Sequence, residues 1–166
     1  ICRSIYDNGF KRMVIINGHG GNSAPNHVVR DTVSEENIFP VAYSWWQSVS
    51  EEMLEWSEAD NGSVGHGGEW ETSVMLHLRE YLISKEHMND DIFPNPFSPE
   101  LQHFAEFSER RRDTRDITGT MGSSSAASKE KGEQIFNLPL ERLEQLAREF
   151  HAIPPREYRE FGSHCL

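Results

Sequence analysis

The sequence predicts an α/β domain with a largely parallel sheet, and three observations support this prediction. Short apolar segments enriched in β-branched residues alternate with longer, amphipathic segments of helical periodicity. Strands that alternate with helices are typical of parallel sheets with helices packed on their faces. At 166 residues the chain can bury one sizeable core, so a single domain over residues 1–166 is expected.

The first predicted element is a helix that the sequence contains only in part. Ile1, Ile5 and Tyr6 lie near helical spacing, and the pattern stops at Asn8 and Gly9. Because the chain begins at Ile1, without Met and inside this pattern, we expect it to be part of a longer protein. The domain is therefore predicted to lack its N-terminal strand or strands.

The next elements form an alternating series. In order, a strand, a helix, a strand and a helix are predicted over residues 10–16, 22–36, 38–43 and 47–57. Pro25 is tolerated only in the first turn of its helix, and Pro40 must lie early in its strand or at an edge. Sites in parallel sheets gather at the carboxyl ends of strands, and His19 falls at such an end.

The remaining elements are helices separated by loops. The predicted helices cover residues 69–82, 126–136 and 138–150, and the predicted loops cover residues 87–99 and 117–125. In the first of these helices, Glu71, Met75, Leu78 and Leu82 are expected along the inward face. The last helix is expected to stop before Pro154, which is followed by a second proline.

Composition and charge exclude several classes of function. The formal net charge of −11 argues against nucleic acid or an anionic membrane surface as a partner. The basic cluster at residues 110–112 is balanced by neighbouring acids and fits a solvated charged loop. No apolar run approaches the roughly 20 residues needed to span a bilayer. Since Cys2 and Cys165 lie at opposite ends of the chain, no disulfide framework is expected, and we predict a cytoplasmic protein.

A glycine-rich segment at residues 17–22, Asn-Gly-His-Gly-Gly-Asn, follows the first predicted strand. The glycines allow a sharp turn and a close approach of a ligand, and the His19 imidazole can donate a lone pair to a metal ion. The structural alternative is a glycine-rich turn with a capping Asn and an incidental histidine. A phosphate cradle is discounted, because the glycine spacing does not match G-x-G-x-x-G and no Walker lysine follows.

A second segment, residues 66–73, has the sequence His-Gly-Gly-Glu-Trp-Glu-Thr-Ser. His66 precedes the predicted helix and is free to act as an acid or base near neutral pH. Glu71 shares the predicted inward face, where a carboxylate is costly unless it is paired or binds a metal, whereas Glu69 is predicted to face solvent. The alternative is that both acids only offset the dipole of the helix.

These segments together resemble the creatininase (creatinine amidohydrolase) family. A third match supports the resemblance: residues 118–122, Thr-Gly-Thr-Met-Gly, lead into residues 126–133, Ala-Ala-Ser-Lys-Glu-Lys-Gly-Glu. The matching segments occur in the family's order and span about residues 1–150. The resemblance implies a three-layer α/β/α fold with a mainly parallel sheet and a homo-oligomer, often a hexamer. It also implies hydrolysis of a C–N bond in a cyclic amide, formamide or peptide.

The resemblance further implies roles for individual residues. His19 would be a metal ligand, Glu71 a carboxylate of the metal site and of catalysis, and His66 the acid or base beside the metal. Zn²⁺ is the first candidate for the divalent ion, with Mn²⁺ or Fe²⁺ as alternatives. The family's other ligands, an acid-x-His and an Asp, belong upstream of Ile1. The expected substrate-binding residues are Gly20, Gly21, Asn22, Trp45, Trp46 and Gly67; for Trp45 and Trp46 the alternative is a place in the core or at a subunit interface.

Two departures from the family pattern bear on the substrate. Creatinine-hydrolysing members have an acidic metal ligand where this chain has Gly21. They also have a Trp shortly before the histidine that corresponds to His66, and this chain has no Trp there. The sequence is therefore nearer to the formamide-hydrolysing and peptide-processing members. The alternative function is a non-catalytic creatininase-like subunit or a small-molecule binding module.

Overall fold

The structure, a computed structural model, describes residues 1–34, 38–59, 65–90, 120 and 122–154. In chain order, its helices and strands are α1 (Cys2–Asp7), β1 (Met13–Asn17), α2 (Ser23–Ser34), β2 (Pro40–Ser44), α3 (Ser50–Trp56), α4 (Glu69–Arg79) and α5 (Lys129–Ala152). Short 3₁₀ turns cover Gly20–Asn22, Trp45–Val49, Glu80–Leu82 and Lys85–His87. Three parts of the sequence-based predictions lie outside the described residues: the basic cluster at 110–112, most of the predicted loops, and residues 118, 119 and 121 of the third motif.

The two strands pair in parallel, with α2 as the connection between them. The register runs from Met13 opposite Pro40 to Asn17 opposite Ser44. Pro40 is the first residue of β2, as expected for a residue that cannot donate a ladder hydrogen bond. The predicted α/β class with a parallel sheet is confirmed.

The chain divides into two compact units, the first formed by Ile1–Ser48 with Pro139–Leu166 and the second by Val49–Leu138. In the first unit, Met13, Val33 and Ile38 form a buried cluster, and Cys2 and Tyr6 of α1 pack against it. This contact explains why the short helix forms, since a helix of this length has little stability without tertiary packing.

Helix α5 runs without interruption from Lys129 to Ala152 with Pro139 in its interior. The prediction of two separate helices, 126–136 and 138–150, is therefore wrong. An interior proline costs about 3 kcal/mol or more of helix stability, because it removes one hydrogen bond and crowds the preceding turn. Tertiary contacts offset this cost: Pro139 is buried, and the Tyr43 hydroxyl donates to its carbonyl oxygen at 2.7 Å.

In the second unit, the buried apolar side chains include Val49, Met53, Leu76 and Ile135.

Within the described ranges, no helix combines the length and apolar character needed to cross a membrane.

Candidate active site

Asn17 fixes the loop that carries His19. Its side chain is buried, and its amide donates to Ser44 Oγ at 3.2 Å, which joins the carboxyl ends of β1 and β2. Its Oδ1 accepts the backbone N–H of His19 at 3.1 Å. The position of His19 at the sheet edge is therefore set by the buried Asn17 amide, which is hydrogen-bonded through both its nitrogen and its oxygen.

His19 itself caps the 3₁₀ turn that follows. Its Nδ1 accepts the backbone N–H of Gly21 at 3.0 Å, and its side chain is exposed. A neutral imidazole that accepts at Nδ1 carries its proton on Nε2. A metal could bind Nδ1 only in place of the Gly21 hydrogen bond, or bind Nε2 after a change of tautomer. The turn that was predicted as an alternative is thus present, with His19 rather than an Asn as its cap.

Trp45 and Trp46 follow β2 and lie at the same edge as the His19 loop. The Trp45 indole N–H donates to the Gly18 carbonyl oxygen at 3.4 Å, a long hydrogen bond. The two indole rings pack edge to face, with centroids 6.0 Å apart and an interplanar angle of 87°. Both side chains are only half-buried. The parallel register therefore places the loop that carries His19 and the accessible Trp45 indole at the same edge of the sheet.

In the second unit, a tight turn leads from His66 into α4. Gly67 has φ of +64°, a backbone conformation that residues with a side chain rarely adopt. A Cβ at this position would also lie only 3.0 Å from the Thr120 Cγ2. The Gly67 N–H donates to Glu71 Oε2 at 2.7 Å, and its carbonyl accepts the Thr72 hydroxyl at 2.9 Å. These bonds fix the backbone beside His66, whose side chain is exposed.

The predicted orientation of the two acids of α4 is wrong. Glu69 is fully buried, whereas Glu71 and Met75 are exposed. The buried polar and apolar side chains of the helix are Glu69, Thr72, Ser73 and Leu76, and this set has helical i, i+3, i+4, i+7 spacing. The stripe of Glu71, Met75, Leu78 and Leu82 is not the inward face, because the buried face was built from small and paired polar side chains.

Partners for every oxygen of the Glu69 carboxylate explain its burial. Oε1 accepts the Lys131 ammonium at 2.6 Å and the Glu58 N–H at 3.0 Å, and Oε2 accepts the Ala59 N–H at 3.3 Å. Burial acts to lower the pKa of Lys131, but hydrogen bonds and charge attraction from Glu69 and Glu58 outweigh it and raise this pKa. The sequence signal for this pair was the small polar Thr72 and Ser73 at the spacing that includes Glu69.

Two further residues support the His66 turn and were not predicted. Thr120 contacts Gly67, and its hydroxyl donates to Asn89 Oδ1 at 2.8 Å. Asn89 in turn exchanges backbone and side-chain hydrogen bonds with Ser124 at 2.8 and 2.9 Å. Asn89 has no sequence signal of its own, whereas Thr120 belongs to the third family match; the contacts of both residues join segments that are far apart in the chain and could not be predicted.

The described residues supply donors suited to a divalent metal ion but not a complete set. Imidazole and carboxylate are ligands that Zn²⁺ and Mn²⁺ accept, and His19 and Glu71 offer one of each. His19 belongs to the first unit, while Glu71 and His66 belong to the second. Among residues 1–34, 38–59, 65–90, 120 and 122–154, no group of three or more His, Cys, Asp or Glu side chains could hold a metal. A catalytic zinc needs about three protein ligands.

Comparison with known proteins gives a match over most of the chain. The sequence model of the creatininase family, described as creatinine amidohydrolase, matches residues 1–147. The creatinine amidohydrolase of Pseudomonas putida is 28% identical over an alignment that covers 93% of this chain and 61% of that protein.

Solved structures agree with this match. A Bacteroides fragilis protein described as a candidate creatinine amidohydrolase has a TM-score of 0.70 and 28% identity, over 95% of this chain and 60% of that one. A mutant creatininase of the Zn-Zn type has a TM-score of 0.64 and 26% identity, over 89% and 59% of the two chains. The chain thus has the fold of these proteins and spans about three fifths of their length.

Proposed function

The chain belongs to the creatininase family, and from this premise we propose that it is part of a metal-dependent amidohydrolase. The proposed reaction is hydrolysis of a C–N bond in a small cyclic amide, a formamide or a peptide. The observation that carries the proposal is the carboxyl edge of the parallel sheet. There, the loop that carries the exposed His19 is joined to the Trp45 indole by a hydrogen bond at Gly18, and all of these residues lie within the range that the family model matches.

In this proposal His19 and Glu71 are metal ligands, and the remaining ligands come from outside the described residues. The metal would polarise the substrate carbonyl and lower the pKa of a bound water molecule. His19 would bind a metal through Nδ1 in place of the Gly21 N–H, or through Nε2 with its proton moved to Nδ1, so the Gly21 hydrogen bond is lost in either case. Glu71 is engaged by the Gly67 N–H through Oε2 at 2.7 Å. Zn²⁺ is the first choice, with Mn²⁺ and Fe²⁺ as alternatives.

His66 is proposed as the acid or base of the reaction. Its side chain is exposed, and the turn beneath it is fixed by Gly67 and Thr72. An imidazole changes charge near neutral pH, so it can take a proton from water and return it to the leaving nitrogen. Amide nitrogen is a poor leaving group until it is protonated, and this proton is what His66 would supply.

The substrate-binding surface is proposed to include Gly20, Gly21, Asn22, Trp45, Trp46 and Gly67. Gly21 stands where creatinine-hydrolysing members have an acidic ligand, which favours formamides or peptides over creatinine. The half-buried Trp45 and Trp46, whose rings meet at 87°, offer an apolar corner for a small planar amide. We further propose a cytoplasmic homo-oligomer, a hexamer by analogy with the family.

The proposal is tested with the purified full chain by elemental analysis and by assays on creatinine, formamide and a short peptide. We expect bound Zn, Mn or Fe, hydrolysis of at least one probe, and loss of hydrolysis after dialysis against a chelator. His19→Ala and His19→Asn should both lose the metal, since Asn can cap a turn but has no imidazole. His27→Ala, at an exposed position of α2, is the matched control and should keep the metal.

The rival function is a non-catalytic subunit or binding module, and the capping bond of His19 to Gly21 favours it. It predicts a folded protein with substoichiometric metal and no hydrolysis of the three probes. It also predicts that His19→Asn leaves both stability and metal content unchanged, because only the cap would matter.

A further inference from the structure

The buried Glu69 carboxylate joins three separate parts of the second unit. Glu69 is the first residue of α4. Its carboxylate accepts the backbone N–H groups of Glu58 and Ala59 and pairs with Lys131 in the first turn of α5. Its side chain is fully buried, and the Lys131 side chain is 12% exposed. A buried charge of this kind is stable only because its partners replace the water it has lost.

These contacts fix the chain on both sides of His66. Glu58 and Ala59 precede His66 in the sequence, and Glu69 follows His66 by three residues. A second bond joins the same two places, since the Trp70 indole N–H donates to Ser57 Oγ at 2.9 Å. The two described segments on either side of His66 are therefore held together by hydrogen bonds at Ser57, Glu58 and Ala59.

Lys131 connects this loop base to α5. Besides Glu69, its ammonium contacts Glu58 Oε1 at 3.1 Å and donates to the Ala126 carbonyl at 2.9 Å. The three bonds use all three protons of the ammonium group. The lysine therefore has one geometry, unlike an exposed lysine that samples many rotamers.

We infer that Glu69 and Lys131 are positioning residues, which hold the His66 turn in place through the backbone of Glu58 and Ala59. The inference rests on the proposed function only for the role given to His66. Neither side chain needs to touch the substrate, since both are occupied by each other and by backbone groups. A displacement of about 1 Å in a catalytic group can cost on the order of 10²-fold in rate.

Hydrogen exchange of the full chain tests the inference without any substrate. Glu69→Gln and Lys131→Met should make the amides of residues 65–68 exchange about 10- to 100-fold faster, the factor expected when a charge-assisted hydrogen bond is lost. Amides in the middle of α4 should change much less. The matched control is Lys85→Met, which removes an exposed ion pair with Glu80 in the same unit and should leave residues 65–68 unchanged.

A single variant that leaves one buried charge without its partner can fail to fold. The double variant Glu69→Gln with Lys131→Met removes both charges and keeps similar side-chain volumes. It should fold and still show faster exchange at residues 65–68. Unchanged exchange there in a folded variant, or equal acceleration throughout α4, would overturn the inference.

Kinetics separate the inference from the proposed function. If the full chain hydrolyses one of the three probes, Glu69→Gln should lower kcat by about 10- to 100-fold with little change in KM. In a His66→Ala background the same substitution should have no further effect, and an additive loss would contradict positioning through His66. If no probe is hydrolysed, the proposed function fails, while the exchange experiment still decides the positioning role.

Discussion

Gly132 of α5 lies directly against the backbone of Ser73 in α4. A β-carbon on Gly132 would overlap the Ser73 carbonyl group and stand 2.9 Å from the His77 Cβ. The Ser73 hydroxyl donates to the Glu69 carbonyl at 2.6 Å and accepts the Ser128 N–H at 3.1 Å. The two helices therefore approach closely through small residues, and the approach brings Lys131 to Glu69.

Gly132→Ala should destabilise the protein, although helix propensity alone predicts the opposite. Alanine is favoured over glycine in a helix interior by up to about 1 kcal/mol. The added methyl group can be accommodated only if the helices separate, and we expect a net loss of about 2 to 4 kcal/mol. Chemical denaturation measures it. Glu133→Ala, at the neighbouring exposed position, should change stability by no more than about 0.5 kcal/mol. A more stable Gly132→Ala protein would show that this close approach does not exist.

The fold class and most elements follow from the sequence, because hydrophobic periodicity and breaker residues determine them locally. Examples of elements predicted in this way are strand β1, the start of α4 and the position of Pro40 at the beginning of β2. The uninterrupted α5 could not be predicted, since Pro139 opposes a helix locally and is accommodated by a contact with Tyr43 that is remote in sequence. Local preference failed there because tertiary packing decides the outcome.

The candidate site divides in the same way. The glycine-rich turns that carry His19 and His66 were predicted from sequence, because they are encoded by consecutive residues. The orientation of Glu69 and Glu71 was predicted wrongly, because the sequence has an apolar stripe through Met75 that is not the buried face. The buried face is instead a polar network, in which Lys131 of a distant helix makes the burial of Glu69 possible.

Glu71 has two separable roles, as the acceptor of the Gly67 N–H in the turn before α4 and as a proposed metal ligand. Glu71→Gln keeps an oxygen that can accept the Gly67 N–H, so it should change the free energy of unfolding by less than about 0.5 kcal/mol. Glu71→Ala removes this acceptor and should cost about 1 kcal/mol. Both variants should lose metal affinity, measured by competition with a chelator. A Glu71→Gln protein with normal metal affinity would leave only the role in the turn.

His66→Ala should separate chemistry from metal binding. The proposed acid or base is exposed, so its loss should leave stability and metal content unchanged. The rate of hydrolysis should fall by about 10²- to 10⁴-fold, the usual scale for a positioned acid or base. His87→Ala removes an exposed histidine of the same unit and should keep the full rate. Normal turnover by His66→Ala would remove this residue from the proposed reaction.

The pair of Lys131 and Glu69 should make stability depend on alkaline pH. The pKa of Lys131 is raised above its ordinary value of 10.5: burial acts to lower it, but hydrogen bonds and charge attraction from Glu69 and Glu58 prevail. A raised pKa means that the folded protein holds this proton more tightly than the unfolded chain. The stabilisation is therefore complete below pH 10.5 and is lost as pH rises through the higher folded-state pKa.

Thermal unfolding of the wild-type protein and of Lys131→Met measures this dependence. Between about pH 8 and pH 10 the difference in Tm should be nearly constant, because the lysine is largely charged in both the folded and unfolded states. Above pH 10.5 it should shrink, since a neutral lysine leaves Glu69 without its cation, as the methionine does. Lys129→Met, at an exposed position of the same helix, shows the part that comes from net charge alone. A Tm difference that stays constant above pH 10.5 would show that the ammonium of Lys131 does not stabilise the buried carboxylate.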